Sequence, residues 1–449
     1  MPIHFQLADY AAPGALLSID RAMARLERAD PVEMRAYQAG RLREVLGRAQ
    51  AASAHWRRVF EEANFDPRGL EDPAHLRSLP ILTKDELRRA GDEMLDPNAR
   101  DLRWASTSGT SGQPVRVAMD RRARALEFCY YRRAWSWGGY RLGAAFAELG
   151  SYHFLRAGGE PERLVEWQPF LRRLLVNSSR VAPERMPEIR QALLRHRPRF
   201  IKGLPTALQH LVRCGEISGV GVPSMRAAFS GGEIVTSRAR GRIEVGFACP
   251  LLDSYGHMER TVAASQCTEG RYHVHGAYGV FETTDFERRA DGTLIANVYG
   301  TGLHNLAQPL VRYETEDRVV LDAQNTRCPC GRTLRTLRSI EGRCSHVITA
   351  PDGRSLPGLP MVFDDIDGIE VLQLVQVAPD AVVLHVVPGA RWSSAALGEL
   401  ENAAARGLGS NMRFEVRVVE PDGLLRRATG KVLPVSALDG LTDQDSSSS

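Results

Sequence analysis

Between residues 121 and 255 the sequence alternates helical stretches with short apolar runs, and few folds can absorb that rhythm. The helical stretches cover 121–137, 187–196 and 206–217. The apolar runs include Arg226-Ala227-Ala228-Phe229-Ser230 and Pro250-Leu251-Leu252-Asp253-Ser254-Tyr255. Helix alternating with buried strand predicts an α/β body with a mostly parallel sheet, because each crossover helix covers a sheet face. Upstream, 17–62 reads as helices, with Val45, Ala49 and Ala52, then Trp56, Val59 and Phe60, at helical spacing. Asp66-Pro67 breaks that pattern, and Thr83 is a predicted N-cap with Glu86 completing a capping box. Downstream, strands are predicted over 272–275, 280–283, 293–299 and 318–321. After Arg343 the character changes: strands over 369–377 and 381–387, a helix over 394–406 and a strand over 412–419 spell a ββαβ unit. The expected organisation is a large body over 1–343, a small α+β domain over 344–440 and a disordered tail over 441–449.

Charge and composition exclude several function classes. The 58 basic and 54 acidic residues leave a net charge of +4, and the basic ones are scattered singly or in pairs. Nucleic-acid binding needs a basic stripe and is not expected. No apolar run reaches the roughly 18 residues of a membrane span, and Met1-Pro2-Ile3-His4-Phe5-Gln6 lacks the start of an export signal. Seven unevenly spread cysteines do not form a disulfide framework, so a cytoplasmic location is expected. Only Lys84, Lys202 and Lys431 are lysines, in a chain that otherwise uses arginine. A lysine kept against that background marks a place where a compact ammonium serves and a planar guanidinium does not.

The strongest local signal is Ser106-Thr107-Ser108-Gly109-Thr110-Ser111-Gly112-Gln113-Pro114. Small hydroxyl residues and glycines let a loop bring N–H and O–H groups against phosphate oxygens. No lysine follows the second glycine, so this is not a P-loop, and a Ser/Gly linker is the competing explanation. The β-like run Val115-Arg116-Val117 directly after it favours phosphate binding. A second constellation joins Cys328-x-Cys330 to Cys267 and His273, a set that would close a structural Cys3His zinc site. His275 is an alternative to His273, and reduced free thiols in a turn are the alternative to metal. Cys129, Cys214, Cys249 and Cys344 read as small core or surface residues.

The loop resembles the phosphate loop of the adenylate-forming superfamily of acyl-CoA synthetases, peptide-synthetase adenylation domains and luciferases, and further matches follow in order. Ser230-Gly231-Gly232-Glu233 resembles the turn lining the adenine and substrate sites. Asp253-Ser254-Tyr255-Gly256-His257-Met258-Glu259 resembles the Tyr-Gly-x-x-Glu element, and Pro309-Leu310-Val311-Arg312-Tyr313 through Asp317 resembles Pro-x-x-Arg-Tyr-x-x-x-Asp. Gly342-Arg343 resembles the interdomain hinge and Gly430-Lys431 the late Gly-Lys. Leu79-Pro80-x-x-Thr83-Lys84, Cys328-Pro329-Cys330-Gly331-Arg332 and Ile340-Glu341-Gly342-Arg343 give the likeness to the phenylacetate-CoA ligase branch, and Pro351-Asp352-Gly353-Arg354 to ligase-like proteins of capsule and natural-product loci and to deazaflavin-coenzyme adenylyltransferases.

The resemblance implies an α/β fold with a large multi-layer N-terminal body and a small mobile C-terminal domain. It also implies ATP-dependent activation of a small, aromatic or otherwise compact carboxylic acid as its AMP ester. Lys431, Glu259 and Arg343 are then the catalytic candidates, with magnesium on Glu259. ATP is expected on Ser106, Thr107, Ser108, Gly109, Thr110, Ser111, Gly112, Gly232, Glu233, Tyr255, Gly256, Arg312 and Asp317. His257, Tyr130 and Trp135 are expected at the substrate pocket. The hinge here is not followed by the aspartates usual in the family, which leaves the acceptor open between CoA, a carrier-protein thiol and an amine. Two other readings stand beside this one: activation of another oxygen acid such as nitrous acid, or of a hydroxyl, and a zinc-stabilised binding protein without activity. A homodimer is left open.

Overall fold

The structure, a computed structural model, describes residues 13–106, 115–322, 327–343, 348–425 and 435–436, apart from 151, 156–159, 161, 290–291, 350, 352–354, 357–365, 367, 390 and 409–410. Thr107 to Gly112, Lys431, the side chains of Ser106 and Arg343, and the tail therefore lie outside the described residues. The chain divides into two compact units. One comprises Met1–Ala105, Val117–Thr315 and Val319–Ile340; the other comprises Ser106–Arg116, Glu316–Arg318 and Glu341–Ser449.

A twelve-stranded sheet forms the large unit's framework. Its centre is parallel: Phe146–Leu149 pairs with Arg173–Val176 and with Phe200–Gly203, which pairs with Ala227–Gly231, which pairs with Leu251–Gly256. Beyond Leu251–Gly256 the pairing turns antiparallel, through Ala263–Gln266 and Tyr272–Val274, and Gly279–Arg288 and Leu294–Gly302 make a long ribbon at one edge. Side chains alternate between faces along each central strand. Phe200 and Phe229 join one core cluster, with helices Pro13–Leu26 and Arg121–Trp137. Their neighbours Ile201 and Ala228 join the other, under helices Met186–His196, Pro205–Ile217 and Ser237–Phe247. The α/β body with a parallel centre is thus as the sequence predicts. Thr83 caps helix Lys84–Ala90, accepting from the Glu86 amide at 3.2 Å.

The small unit holds a four-stranded sheet in the order Arg413–Val418, Ala381–Pro388, Ile369–Ala378, Val435–Ser436. Helix Ser394–Leu408 crosses between the parallel pair Ala381–Pro388 and Arg413–Val418, burying Leu400 and Ala404 beside Leu374, Leu384 and Val386. This is the predicted ββαβ unit.

One buried histidine of the large unit gives a pH-dependent expectation. His304 Nε2 donates to the Ala277 carbonyl at 2.8 Å, while Nδ1 has no partner among the described residues. Burial pushes its pKa down to about 3. In the unfolded chain the imidazole binds a proton near pH 6.5, so stability is lost as pH falls below that value. Comparing wild type with His304→Gln by chemical denaturation, the wild-type stability advantage should shrink by about 1.4 kcal/mol between pH 7.5 and 5.5. Parallel stability curves would exclude a buried neutral His304.

Candidate functional site

In open α/β sheets, ligands bind beyond the carboxyl ends of the parallel strands, where loops converge and helix N-termini point inward. Here the strand Ala227–Gly231 runs into Gly232-Glu233, and its neighbour Leu251–Gly256 runs into His257-Met258-Glu259. Gly231 and Ser254 are paired, so the two turns leave the sheet side by side. Glu233 does not project freely: its Oε2 accepts from the Thr206 amide at 3.1 Å and the Thr206 hydroxyl at 2.8 Å. Thr206 lies in the first turn of helix Pro205–Ile217, where a carboxylate is stabilised by the unpaired amides. The ends of three adjacent parallel strands are therefore tied together.

Glu259 is the centre of a buried network, only 4% exposed. Its Oε1 accepts from the Tyr313 hydroxyl at 2.6 Å, and its Oε2 accepts from His257 Nδ1 at 3.0 Å. A carboxylate can only accept, so Nδ1 carries the hydrogen and Nε2 is left to accept from the Thr261 hydroxyl at 3.0 Å. The His257 and Tyr313 rings lie 6.1 Å apart and nearly parallel. Two glycines make room for this arrangement. A Cβ on Gly279 would sit 1.7 Å from the Thr261 carbonyl oxygen, and one on Gly300 would sit 2.2 Å from the Thr261 hydroxyl. Only bare backbone lets the two ribbon strands close over Thr261.

These contacts bear on the expectation for His257 at the substrate pocket. Both ring nitrogens are engaged within the network, so His257 braces Glu259 and offers no free nitrogen to a substrate. Arg312, expected at the nucleotide, is engaged within the protein through Nε and Nη1. It is buried, its Nε lies 3.3 Å from a Glu282 carboxylate oxygen, and its Nη1 donates to the carbonyls of Leu79 and Arg77. That guanidinium fastens the segment before Thr83 to strand Tyr313–Leu321, joined further by hydrogen bonds between Leu82 and the backbone of Arg312 and Glu314. It thereby helps to position the adjacent Tyr313. Tyr130 and Trp135, expected at the pocket, are buried in the aromatic cluster on one face of the central sheet. The Tyr130 hydroxyl accepts from Ser265 and lies within hydrogen-bond distance of the Tyr255 and Ala264 carbonyls; Trp135 stacks on Phe229 at 5.3 Å. Tyr255 and Asp317 are both buried.

Sequence reasoning gave no role to Tyr313, Thr261 or the pair of ribbon glycines. Tyr313 lay inside a quoted motif, so the signal was present but unread. Nothing local marks Thr261, because its value comes from the histidine four residues away.

The cysteine–histidine set does assemble. One ligand atom each of Cys267, His273, Cys328 and Cys330 lies within 4.8 Å of the others. The hairpin Ala263–Gln266/Tyr272–Val274 presents Cys267 and His273, and a turn presents the other two, closed by the Gly331 amide donating to the Cys328 carbonyl at 3.0 Å. The Cys267–Cys328 sulfur separation is 3.7 Å, against about 3.8 Å for two thiolates on a tetrahedral ion with bonds near 2.3 Å. His273 Nε2 is 3.4 Å from Cys330 Sγ, and burial keeps the imidazole neutral with its pKa down near 4. His275 instead stacks on Trp137 at 4.9 Å, which settles the choice between the two histidines on geometry.

No protein-family profile matches the chain. It is 21% identical over 253 residues to protein CapK of Staphylococcus aureus, a match spanning 56% of this chain and 55% of that protein, so only about half of that relative's length is covered. It is 26% identical over 331 residues to phenylacetate-coenzyme A ligase of Thermus thermophilus, covering 70% of this chain and 72% of that one. Among solved structures, 2-hydroxyisobutyryl-CoA ligase in complex with R3-HIB-AMP superposes with a TM-score of 0.69 at 20% identity, over 95% of this chain and 94% of that one. The likeness read from the ordered motifs is met by these comparisons: the chain is similar in sequence to a phenylacetate-coenzyme A ligase and to CapK, and it shares the fold of 2-hydroxyisobutyryl-CoA ligase.

Proposed function

We propose that this chain is an ATP-dependent, AMP-forming ligase that activates a compact aromatic carboxylic acid as its acyl-adenylate and passes it to a thiol such as CoA. The observation that carries the reading is the convergence of the Gly231-Gly232-Glu233 turn, Tyr255-Gly256 and the braced Glu259 at the carboxyl ends of adjacent parallel strands. The relatives named above, two of them acid–CoA ligases, support the same chemistry.

Joining a carboxylate to ATP brings anions together, so the site must supply fixed opposite charge where it accumulates. Glu259 is assigned as the magnesium ligand: it is a buried carboxylate, an oxygen donor of the kind that hard cations take, held in place by Tyr313 and His257. Magnesium there would neutralise phosphate charge. Tyr313 and His257 hold the carboxylate at a fixed angle, so little reorganisation remains when nucleotide enters. Lys431 is assigned from its Gly430-Lys431 motif to the α-phosphate. The Cys267, His273, Cys328 and Cys330 cluster is assigned to a structural zinc, since a closed four-ligand set leaves no open position for a reacting water.

The test is pyrophosphate release across a panel of aryl acids, with and without CoA, and with nitrite as a separate arm. Acid-dependent release is expected, with AMP and a thioester appearing when CoA is present. Release that needs nitrite instead would move the chain to the oxygen-acid alternative, and no nucleotide consumption at all would leave a binding protein. In the same assay Lys431→Ala should lose about 3 kcal/mol or more of transition-state stabilisation while still binding ATP.

A further inference from the structure

A buried lysine on the central sheet is left over by this account, and resting on the proposed acid activation, we infer that Lys202 recognises a second, oxygen-bearing and preferably anionic substituent on the aromatic acid. Lys202 is the third residue of strand Phe200–Gly203 and is 7% exposed. Gly203 and Leu204, immediately after it, are half-buried, so the ammonium sits one residue inside the strand end that faces the candidate site. The strand beside it carries the Gly231-Gly232-Glu233 turn, and Lys202 is in register with Phe229 there.

The charge around Lys202 does not balance. Its Nζ is 3.1 Å from Glu148 Oε1, its one hydrogen-bond partner among the described residues, although an ammonium carries three donors. Glu148 is shared: its Oε2 accepts from Arg173 Nη1 at 3.0 Å. Lys202, Glu148 and Arg173 are each about nine-tenths buried, and among the described residues of this cluster two cations face one carboxylate. A purely structural ion pair would close with matched charges; an excess buried cation with unused donors is what an anion-recognition site needs before its ligand arrives. Burial pushes the Lys202 pKa down, in keeping with an ammonium short of counter-charge.

Aromatic rings pack around the same ammonium. The ammonium lies 5.5 Å from the centre of the Trp135 ring, which stacks on Phe229 at 5.3 Å and an interplanar angle of 19°. Phe146 and Tyr140 close the same aromatic group. Flat rings beside one cation suit a planar acid bearing a carboxylate or phenolic oxygen away from the reacting group. The identity of the cation fits too, because a compact ammonium can meet one oxygen end-on where a guanidinium would demand a wider fork.

The experiment compares benzoate with 3- and 4-hydroxybenzoate and with benzene-1,3- and 1,4-dicarboxylate on the full-length protein. It reads both pyrophosphate release and ATP-independent acid binding by tryptophan fluorescence. The best oxygen-bearing acid should exceed benzoate by about 30-fold or more in kcat/KM, and Lys202→Met should erase that preference while changing benzoate less than about threefold. Because Lys202→Met leaves Glu148 paired with Arg173, the variant is expected to fold. Should it not, Lys202→Arg keeps the charge but moves the donors and must change the ranking of the acids. A uniform loss for all acids, an unchanged ranking in Lys202→Arg, or no preference in wild type overturns the inference. If no acid releases pyrophosphate yet binding of the oxygen-bearing acids still depends on Lys202, the adenylation reading fails and this one stands.

Discussion

Replacing Glu259 with glutamine is expected to lower acid-dependent pyrophosphate exchange by about 10²- to 10³-fold, the scale of losing one preorganised electrostatic contact at a reacting centre. Two effects add. The amide carries no charge to hold magnesium, and its NH2 must face either the Tyr313 hydroxyl or His257 Nδ1, both of which now donate to Glu259. Placing donor against donor in a buried site costs about 1–3 kcal/mol, so some stability should go as well. Tyr313→Phe separates the two contributions. It leaves the carboxylate and removes only the hydroxyl, so its loss should be about 10-fold, with a raised magnesium requirement. Exchange at the wild-type rate in Glu259→Gln would remove Glu259 from the chemistry, whatever its stability.

The comparison of these two variants also shows what the sequence can and cannot carry. Glu259 was legible because it closes a short motif, Tyr255-Gly256-x-x-Glu259, whose spacing is local. The alternation of 121–255 was legible for the same reason: period and breaker residues are read within a window of about a dozen positions. The strand Phe146–Leu149 was not read, since four residues including a glutamate give no periodic signal. Its Glu148 makes sense only beside Lys202, more than fifty positions away, because adjacent parallel strands put the two in register. The rarity of lysine did flag Lys202, though not its partner. His257 and Arg312 show the opposite limit. Each stands in a functional motif, but the fold spends their polar atoms on internal bonds, to Glu259 and Thr261 in one case and to Glu282, Leu79 and Arg77 in the other. Residue type and spacing limit what a side chain can do; the hydrogen-bond partners decide which of those things it does.

The second large effect concerns the cysteine cluster. Freshly purified protein is expected to contain about one zinc per chain, and Cys328→Ser to contain little or none, by elemental analysis. The variant should also lose roughly 3–5 kcal/mol of stability, because metal binding to a set formed only in the native fold adds directly to folding free energy. The reasoning is geometric. Without an ion, three thiols and a neutral imidazole crowd within 4.8 Å and offer one another only weak S–H donors. The turn they close reaches further than the hairpin: Thr333 donates from its amide to the Glu27 carbonyl at 3.0 Å and from its hydroxyl to the Ala29 carbonyl at 2.6 Å. Arg332 lies 4.1 Å over the Trp137 ring. Releasing the turn therefore loosens the first helix and the end of Arg121–Trp137 together. Cys249→Ser, a buried thiol in the other core cluster, is the control and should cost about 1 kcal/mol with zinc retained. A chelator should bring wild type down to the Tm of Cys328→Ser and leave that variant unchanged. If the two substitutions destabilise equally and no metal is found, the four residues are reduced thiols and a core histidine, and the hairpin stands on its hydrogen bonds alone.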